Sequence, residues 1–561
     1  MKKEKKRYLK QYMIGMALCS SLSVSSQVLP EKSFIPPFDF PLLLSGSFGE
    51  LRANHFHGGL DFKTQGVVGK PIRCIADGYV SRVTVTHGGF GQAVYVTHPN
   101  GITSVYGHIK NFSKEVAAVV KEYQYANETF LTDLSFSSDQ FPVKQGDIIA
   151  LSGNEGYSFG PHLHLELHQT DTDEYINPMV FYKKELQDTK PPVAKKFVIY
   201  PQPGKGVVNG SAHQKAFAFD QKKSAIHAWG DIACGIQAFD YMDGTYNNYG
   251  VYSVKLSVDS TLVFQSQVDS FLPYENRMIN AWTDFNEYIR RGQWYMRSQI
   301  LPGNTWRMLK ANQNGGIVSI NEERDYHFKY ELTDLHGNEQ TYSFVVKGKE
   351  TSIDELKKGP DYLDWKLSHV VQRPGMELAI PKGMLYDDVD LNVKVQLPDS
   401  AAISYTYQIH DEALPLHSYC PLSLAIRNYP VADTSKYYVA IHKKNRKSSV
   451  GGRFKDGWMN ARVRELGTYS VEVDTIAPKV IPLNQPNWKK RQIAFQIREK
   501  ETGIGSYKVY LDGSFILFGY SSKTGKLTLK DSQRIKKGVP HRLELWISDV
   551  CGNETHREYK F

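Results

Sequence analysis

The segment Pro161-His162-Leu163-His164-Leu165-Glu166-Leu167-His168 alternates strictly between polar and apolar side chains, and it constrains the fold of this chain more than any other stretch. A period of two is that of a half-buried β-strand, with His162, His164, Glu166 and His168 on one face and the three leucines on the other. At about 3.3 Å of rise per residue the two imidazoles of His162 and His164 stand roughly 6.6 Å apart. One can then hold a metal ion while its neighbour handles a proton on bound water.

Upstream, His57-Gly58-Gly59-Leu60-Asp61 separates an imidazole from a carboxylate by paired glycines, which argue against a helix and let the backbone bend so that the two side chains converge. Residues 72–85 read as two strands around the turn Ala76-Asp77-Gly78. Residues 93–97 and 103–106 pair across Pro99-Asn100-Gly101, a strong hairpin signal, and the second strand ends at Tyr106-Gly107-His108. Val116, Val119, Val120 and Tyr123 follow a helical period after Ser113 as N-cap, so one helix is inserted before the His-x-His strand, expected to cover a sheet face.

Beyond Pro191-Pro192 the pattern is β to the end, and an internal repeat is visible. Asp188-Thr189-Lys190-Pro191-Pro192 is echoed by Asp474-Thr475-Ile476-Ala477-Pro478, and Asp334-Leu335-His336-Gly337-Asn338 by Asp549-Val550-Cys551-Gly552-Asn553. The expected organisation is a signal peptide at 1–26, a catalytic domain at 27–190, an immunoglobulin-like β-sandwich at 191–350, a β-rich domain of unnamed fold at 351–473 and a second sandwich at 474–561. The fold class is thus mainly β.

Catalytic zinc commonly takes three ligands from His, Asp and Glu and keeps a fourth position for water. His57, Asp61 and one histidine of the central strand supply such a set, and His108 with the unused histidine is left for proton transfer and charge stabilisation. His55 is a competing ligand, disfavoured by the glycine spacing, while His87, His98 and His168 read as turn or surface residues.

The three ordered motifs His57-Gly58-Gly59-Leu60-Asp61, Tyr106-Gly107-His108 and Gly160-Pro161-His162-Leu163-His164 resemble those of the lysostaphin-like, LytM-type zinc metalloendopeptidases that cut peptide bonds in peptidoglycan. The resemblance covers roughly residues 45–182. It implies an antiparallel β-sheet metallopeptidase domain with Zn2+ held by His57, Asp61 and His164, His162 as general base and His108 as transition-state stabiliser. Glu155 stands where threonine is common in the family, and the helical insertion after His108 is longer than in minimal members.

Two other functions are compatible with the sequence: a LytM-type regulator of other wall hydrolases, catalytically silent or occluded, and an envelope structural or adhesive protein built from its β domains. The basic start MKKEKKRYLK, the apolar run after it and Val24-Ser25-Ser26 read as an export signal, so the expected location is the periplasm or outer envelope. Leucine before Cys19 argues against a lipoprotein. Removing residues 1–26 removes six basic residues and Glu4, which lowers the formal charge from +9 to +4 and gives no reason to invoke nucleic acid. No stretch is apolar enough for a stable membrane span. The expected partners are peptidoglycan and, through the C-terminal β domains, an envelope protein. Those domains are expected to position the catalytic domain on the wall. Cys74, Cys234, Cys420 and Cys551 lie far apart without metal spacing and are expected as buried free thiols.

Overall fold

The computed structural model describes residues 34–219, 225–396, 400–443 and 446–561. The export signal and Cys19 lie outside the described residues. The four later cysteines are free and buried. No helix among the described residues is long and apolar enough to cross a membrane.

The N-terminal domain is built on an antiparallel sheet whose strands run, in spatial order, Leu44–Gly46, Gly59–Lys63, His162–Gln169, Ile102–Gly107, Gln92–Thr97, Gly78–Val85 and Thr132–Ser135. The His-x-His strand therefore has a neighbour on each side. Leu163, Leu165 and Leu167 are fully buried in the core while the histidine face turns to the cleft. The Asn-Gly hairpin forms with Thr97 opposite Thr103. Residues 71–73 do not pair with Gly78–Val85. They join Ile148–Leu151 and Asn111–Phe112 in a separate three-stranded sheet, so the turn at Ala76-Asp77-Gly78 passes the chain between sheets.

Gly58 and Gly59 are required by close approach rather than by an unusual φ. A Cβ on Gly59 would stand 2.3 Å from the Leu165 carbonyl oxygen, and one on Gly58 2.8 Å from the Tyr175 ring. The inserted helix spans Lys114–Ala126, capped by Ser113, whose side chain accepts from the Val116 amide. Val116 and Val120 face the core. Its Lys121 and Tyr125 face the last β domain, where both reach the Asp531 carboxylate at 2.8 and 2.9 Å. The helix is thus a landing surface for the C-terminal part of the chain as well as a cover.

Residues 193–348 form one hydrogen-bonded set of ten strands, in which the two halves are joined by a parallel pairing of Ile226–Phe239 with Glu339–Gly348. This domain is not separate from the first. Its strand Ser270–Phe271 pairs with Tyr175–Ile176 at the edge of the N-terminal sheet. Phe271 also stacks on Phe48 and Tyr175 at 5.2 and 4.8 Å, so one hydrophobic core runs through both domains. Residues 369–473 fold as two five-stranded sheets and residues 479–560 as two four-stranded sheets, each pair around its own core.

Candidate active site

Register brings the site together. His164 lies opposite Asp61 on one neighbouring strand and opposite Gly107 on the other, with His108 the next residue. Antiparallel pairing on both sides of the His-x-His strand thus brings three motifs distant in sequence to one point.

His57 Nε2, Asp61 Oδ1 and His164 Nδ1 form a triangle with sides of 3.1, 2.8 and 3.0 Å. All three residues are buried. The outer atoms of the two imidazoles decide what faces inward. His57 Nδ1 donates to the Ser47 carbonyl at 2.6 Å, and His164 Nε2 donates to Glu166 Oε1 at 2.8 Å. Each neutral ring then turns a lone pair towards the Asp61 oxygen. Three acceptors converge with no donor among them, an arrangement that requires a cation. Tetrahedral zinc with bonds of about 2.0–2.2 Å spaces its ligand atoms at roughly 3.3 Å, so this donor set fits a metal with little movement.

Charge follows the same geometry. Burial works against the Asp61 carboxylate, but the neighbouring imidazoles of His57, His162 and His164 hold it well below the usual carboxylate range. Burial likewise opposes a charged His164, yet bonds to Asp61 and Glu166 raise its pKa to about 9. Metal binding at this ring is therefore coupled to proton release.

Four contributors were not identified from sequence. Glu166 anchors His164 and is itself held by His168 Nε2 at 2.9 Å. Arg52 Nη2 lies 3.2 Å from Asp61 Oδ2, leaving Oδ1 to face the histidines, and Ser47 orients His57. The polar face of the strand gave a signal for Glu166 and His168. Arg52 and Ser47 gave none. Replacing Glu166 by Gln is expected to weaken metal binding by about 10–100-fold, measured by competition with a chelator, because the ring would lose its charged anchor. An unchanged affinity would reduce Glu166 to a packing role.

His108 and His162 face each other across the open side of the triangle, ring centroids 4.8 Å apart. His162 Nδ1 is held by the Gly160 carbonyl at 2.8 Å and His108 Nδ1 by the Glu155 carbonyl at 2.8 Å, so both present Nε2. Burial first, then the charges of His164 and His162, push His108 down to about 3. His108 also adopts a φ of 59°, a left-handed conformation costing a non-glycine residue about 1–3 kcal/mol and met at sites where placement matters more than comfort.

The remaining histidines sort differently from the sequence reading. His55 is exposed on the cleft wall, away from the triangle. His98 is buried, bonded to the Asp77 carbonyl and Ser104, and is not a surface residue. His168 is half-buried on Glu166, and His87 stacks between Phe130 and the last domain's Tyr507 and Tyr520.

The five residues line a cleft of about 1120 Å³. Its walls are not all from the first domain: Asn276 and Asn247 come from the second, tied to the Phe56 amide and the Ser45 carbonyl. The rim carries Tyr157 and the fully exposed Phe159, with Lys523 of the last domain 4.6 Å above the Phe159 ring and bonded to the Ser158 carbonyl.

Among known families, the model of Peptidase family M23 matches residues 55–135, ending before the His-x-His strand, and that of a Zu5-like domain matches residues 360–474. An uncharacterized metalloprotease of Haemophilus influenzae is 37% identical over 112 residues, 20% of this chain and 18% of that protein. The DD-carboxypeptidase/endopeptidase Mpg of Neisseria meningitidis serogroup B is 31% identical over 110 residues, 20% of this chain and 19% of that protein. Glycyl-glycine endopeptidase ALE-1 of Staphylococcus capitis is 30% identical over 150 residues, 26% and 32% of the two chains. The chain spans less than a fifth of the length of the first two relatives.

Proposed function

With its N-terminal part a domain of Peptidase family M23, we propose that this chain is an exported zinc metalloendopeptidase that hydrolyses peptide bonds in the stem peptides or cross-bridges of peptidoglycan. The observation that carries this reading is the convergence of three metal-facing lone pairs with two further histidines on the open side of the same triangle. His57 Nε2, Asp61 Oδ1 and His164 Nδ1 would hold the metal. A bound zinc ion supplies Lewis acidity towards a peptide carbonyl and towards water, and one carboxylate among its ligands leaves it a net positive charge.

The chain's own residues do the rest. His162, with Nδ1–H given to the Gly160 carbonyl, presents the Nε2 lone pair beside the ligand triangle and takes the proton of the attacking water. His108 lies across from it, where the developing negative charge can be stabilised. The long, open cleft with aromatic side chains on its rim suits an extended peptide. Homology to both a DD-endopeptidase and a glycyl-glycine endopeptidase supports the wall as substrate and leaves both bond types to be assayed.

The test is digestion of purified peptidoglycan by the zinc-loaded protein, with fragments identified by mass spectrometry. His108→Ala and His162→Ala are each expected to lower kcat by about 10²–10⁴-fold while metal content stays unchanged. Cleavage that persists in both variants would remove His108 and His162 from the reaction, whereas no cleavage by the zinc-loaded native protein would remove the enzymatic reading. The second outcome would favour a regulator of other hydrolases.

A further inference from the structure

A second cluster of ligand atoms lies at the junction of the first two domains. Asp188 follows the last turn of the N-terminal domain, Asp240 follows the strand Ile226–Phe239, and Asp334 and His336 sit in the turn after Asp325–Thr333. Ligand atoms of Asp188, Asp334 and His336 lie within 4.8 Å of one another. His336 Nε2 donates to the Lys183 carbonyl at 3.1 Å, so in the neutral ring Nδ1 is a lone pair. It points at Asp188 Oδ2, 3.9 Å away and too far for a hydrogen bond.

Neither atom has a partner, although the Asp188 side chain is only 1% exposed. Asp240, 5% exposed, likewise leaves Oδ1 without a partner. Lys190, the nearby base, is directed to the Met242 carbonyl and Asp243. Asp334 accepts from the Gly337 and Asn338 amides and from Asn338 Nδ2, so the unmet groups are one oxygen each of Asp188 and Asp240 and the His336 lone pair, with no positive charge among them. That is costly unless a cation fills it.

The repeat supplies an internal control. The corresponding residues Asp474, Glu499 and Asp549 also cluster, but hydrogen-bond donors close them off. Thr502 donates to Asp474 Oδ2 and the Glu501 amide to Glu499 Oε1. Cys551 stands where His336 is. Asn338 fills Asp334 as Asn553 fills Asp549, so the two copies differ at Asp188 Oδ2 and His336 Nδ1, which stay unpartnered where Thr502 fills Asp474 Oδ2 and a thiol replaces the imidazole.

We propose that Asp188, Asp334 and His336, with Asp240 beside them, bind a second divalent cation that fastens the N-terminal domain to the β domain that follows. Carboxylates with one imidazole suit Zn2+ or Mn2+ better than Ca2+, which prefers oxygen throughout. His336 holds the Lys183 carbonyl and Asn338 the Asp188 carbonyl at 3.1 Å, so the turn that carries two of the ligands already grips the first domain, and cation binding and the domain junction would reinforce each other.

The full chain is dialysed against Zn2+ or Mn2+ and its bound metal counted, beside Asp188→Asn, His336→Gln and, for the peptidase site, His57→Ala. The expected result is one equivalent that disappears in Asp188→Asn and in His336→Gln but survives in His57→Ala, together with a metal-induced rise in melting temperature that the two junction variants lack. Should Asp188→Asn fail to fold, His336→Gln decides alone. Absence of any equivalent sensitive to the junction substitutions, with either metal, overturns the proposal whether or not the chain hydrolyses peptidoglycan.

Discussion

Replacing His164 by Ala is expected to abolish metal retention in the cleft and to lower peptidoglycan hydrolysis by at least about 10³-fold, the scale on which lost charge stabilisation acts at a reacting centre. His164 joins the ligand triangle to its outer anchor. Its Nδ1 closes two sides of the ligand triangle, and its Nε2 neutralises Glu166. The variant leaves Asp61 to Arg52 and His57 and Glu166 to His168, so neither carboxylate is left without a partner and the fold should survive at a cost of about 1–3 kcal/mol. Metal content by plasma emission and fragment masses from digested peptidoglycan give the two readouts. Retained metal with lost cleavage would move His164 from ligand to proton carrier, and retained cleavage would remove it from the site.

Cutting the chain after residue 190 is expected to leave an N-terminal domain that does not melt cooperatively. Phe271 is fully buried against Phe48, Phe56 and Tyr175, and Trp306 packs on Phe56 at 4.6 Å. Each fully buried aromatic contributes about 1.5–3 kcal/mol, so exposing several together rivals the whole stability of about 5–15 kcal/mol of a typical domain. The point test is Phe271→Ala in the full chain, expected to cost about 3–5 kcal/mol in urea unfolding and to loosen the cleft wall that Asn276 supplies. A soluble 34–190 fragment with a sharp thermal transition would show that the shared core is dispensable. Assigning the later domains a role by deleting them therefore requires a cut that keeps residues 191–350.

The strand His162–Gln169 and the helix Lys114–Ala126 were legible in the sequence because their signals are local. Alternation of polar and apolar side chains at period two, or a serine cap followed by apolar residues at helical spacing, acts through neighbours in the chain. The same locality explains the misread histidines. His98 looks like a turn residue next to Pro99-Asn100-Gly101, and only the packing of the Ala76-Asp77-Gly78 turn over it makes it a buried, doubly bonded ring. The strands around residues 72–85 were read as existing, but not as belonging to different sheets, since strand partners are chosen by contacts across the whole domain.

By itself the sequence determined the chemistry available to this protein: which residues carry imidazoles and carboxylates, which face of the central strand they share, and where glycines allow close approach. Tertiary structure alone decided how that chemistry is aimed. The register of His164 opposite Asp61, the choice of Nδ1 on one ring and Nε2 on the other, the anchoring by Ser47, Arg52 and Glu166, and the lone pairs left unpaired around Asp188 all depend on groups up to more than a hundred residues apart. Hydrogen bonds and ligand directions are short-ranged and angular, so they are set only when distant segments are packed to within a few ångströms.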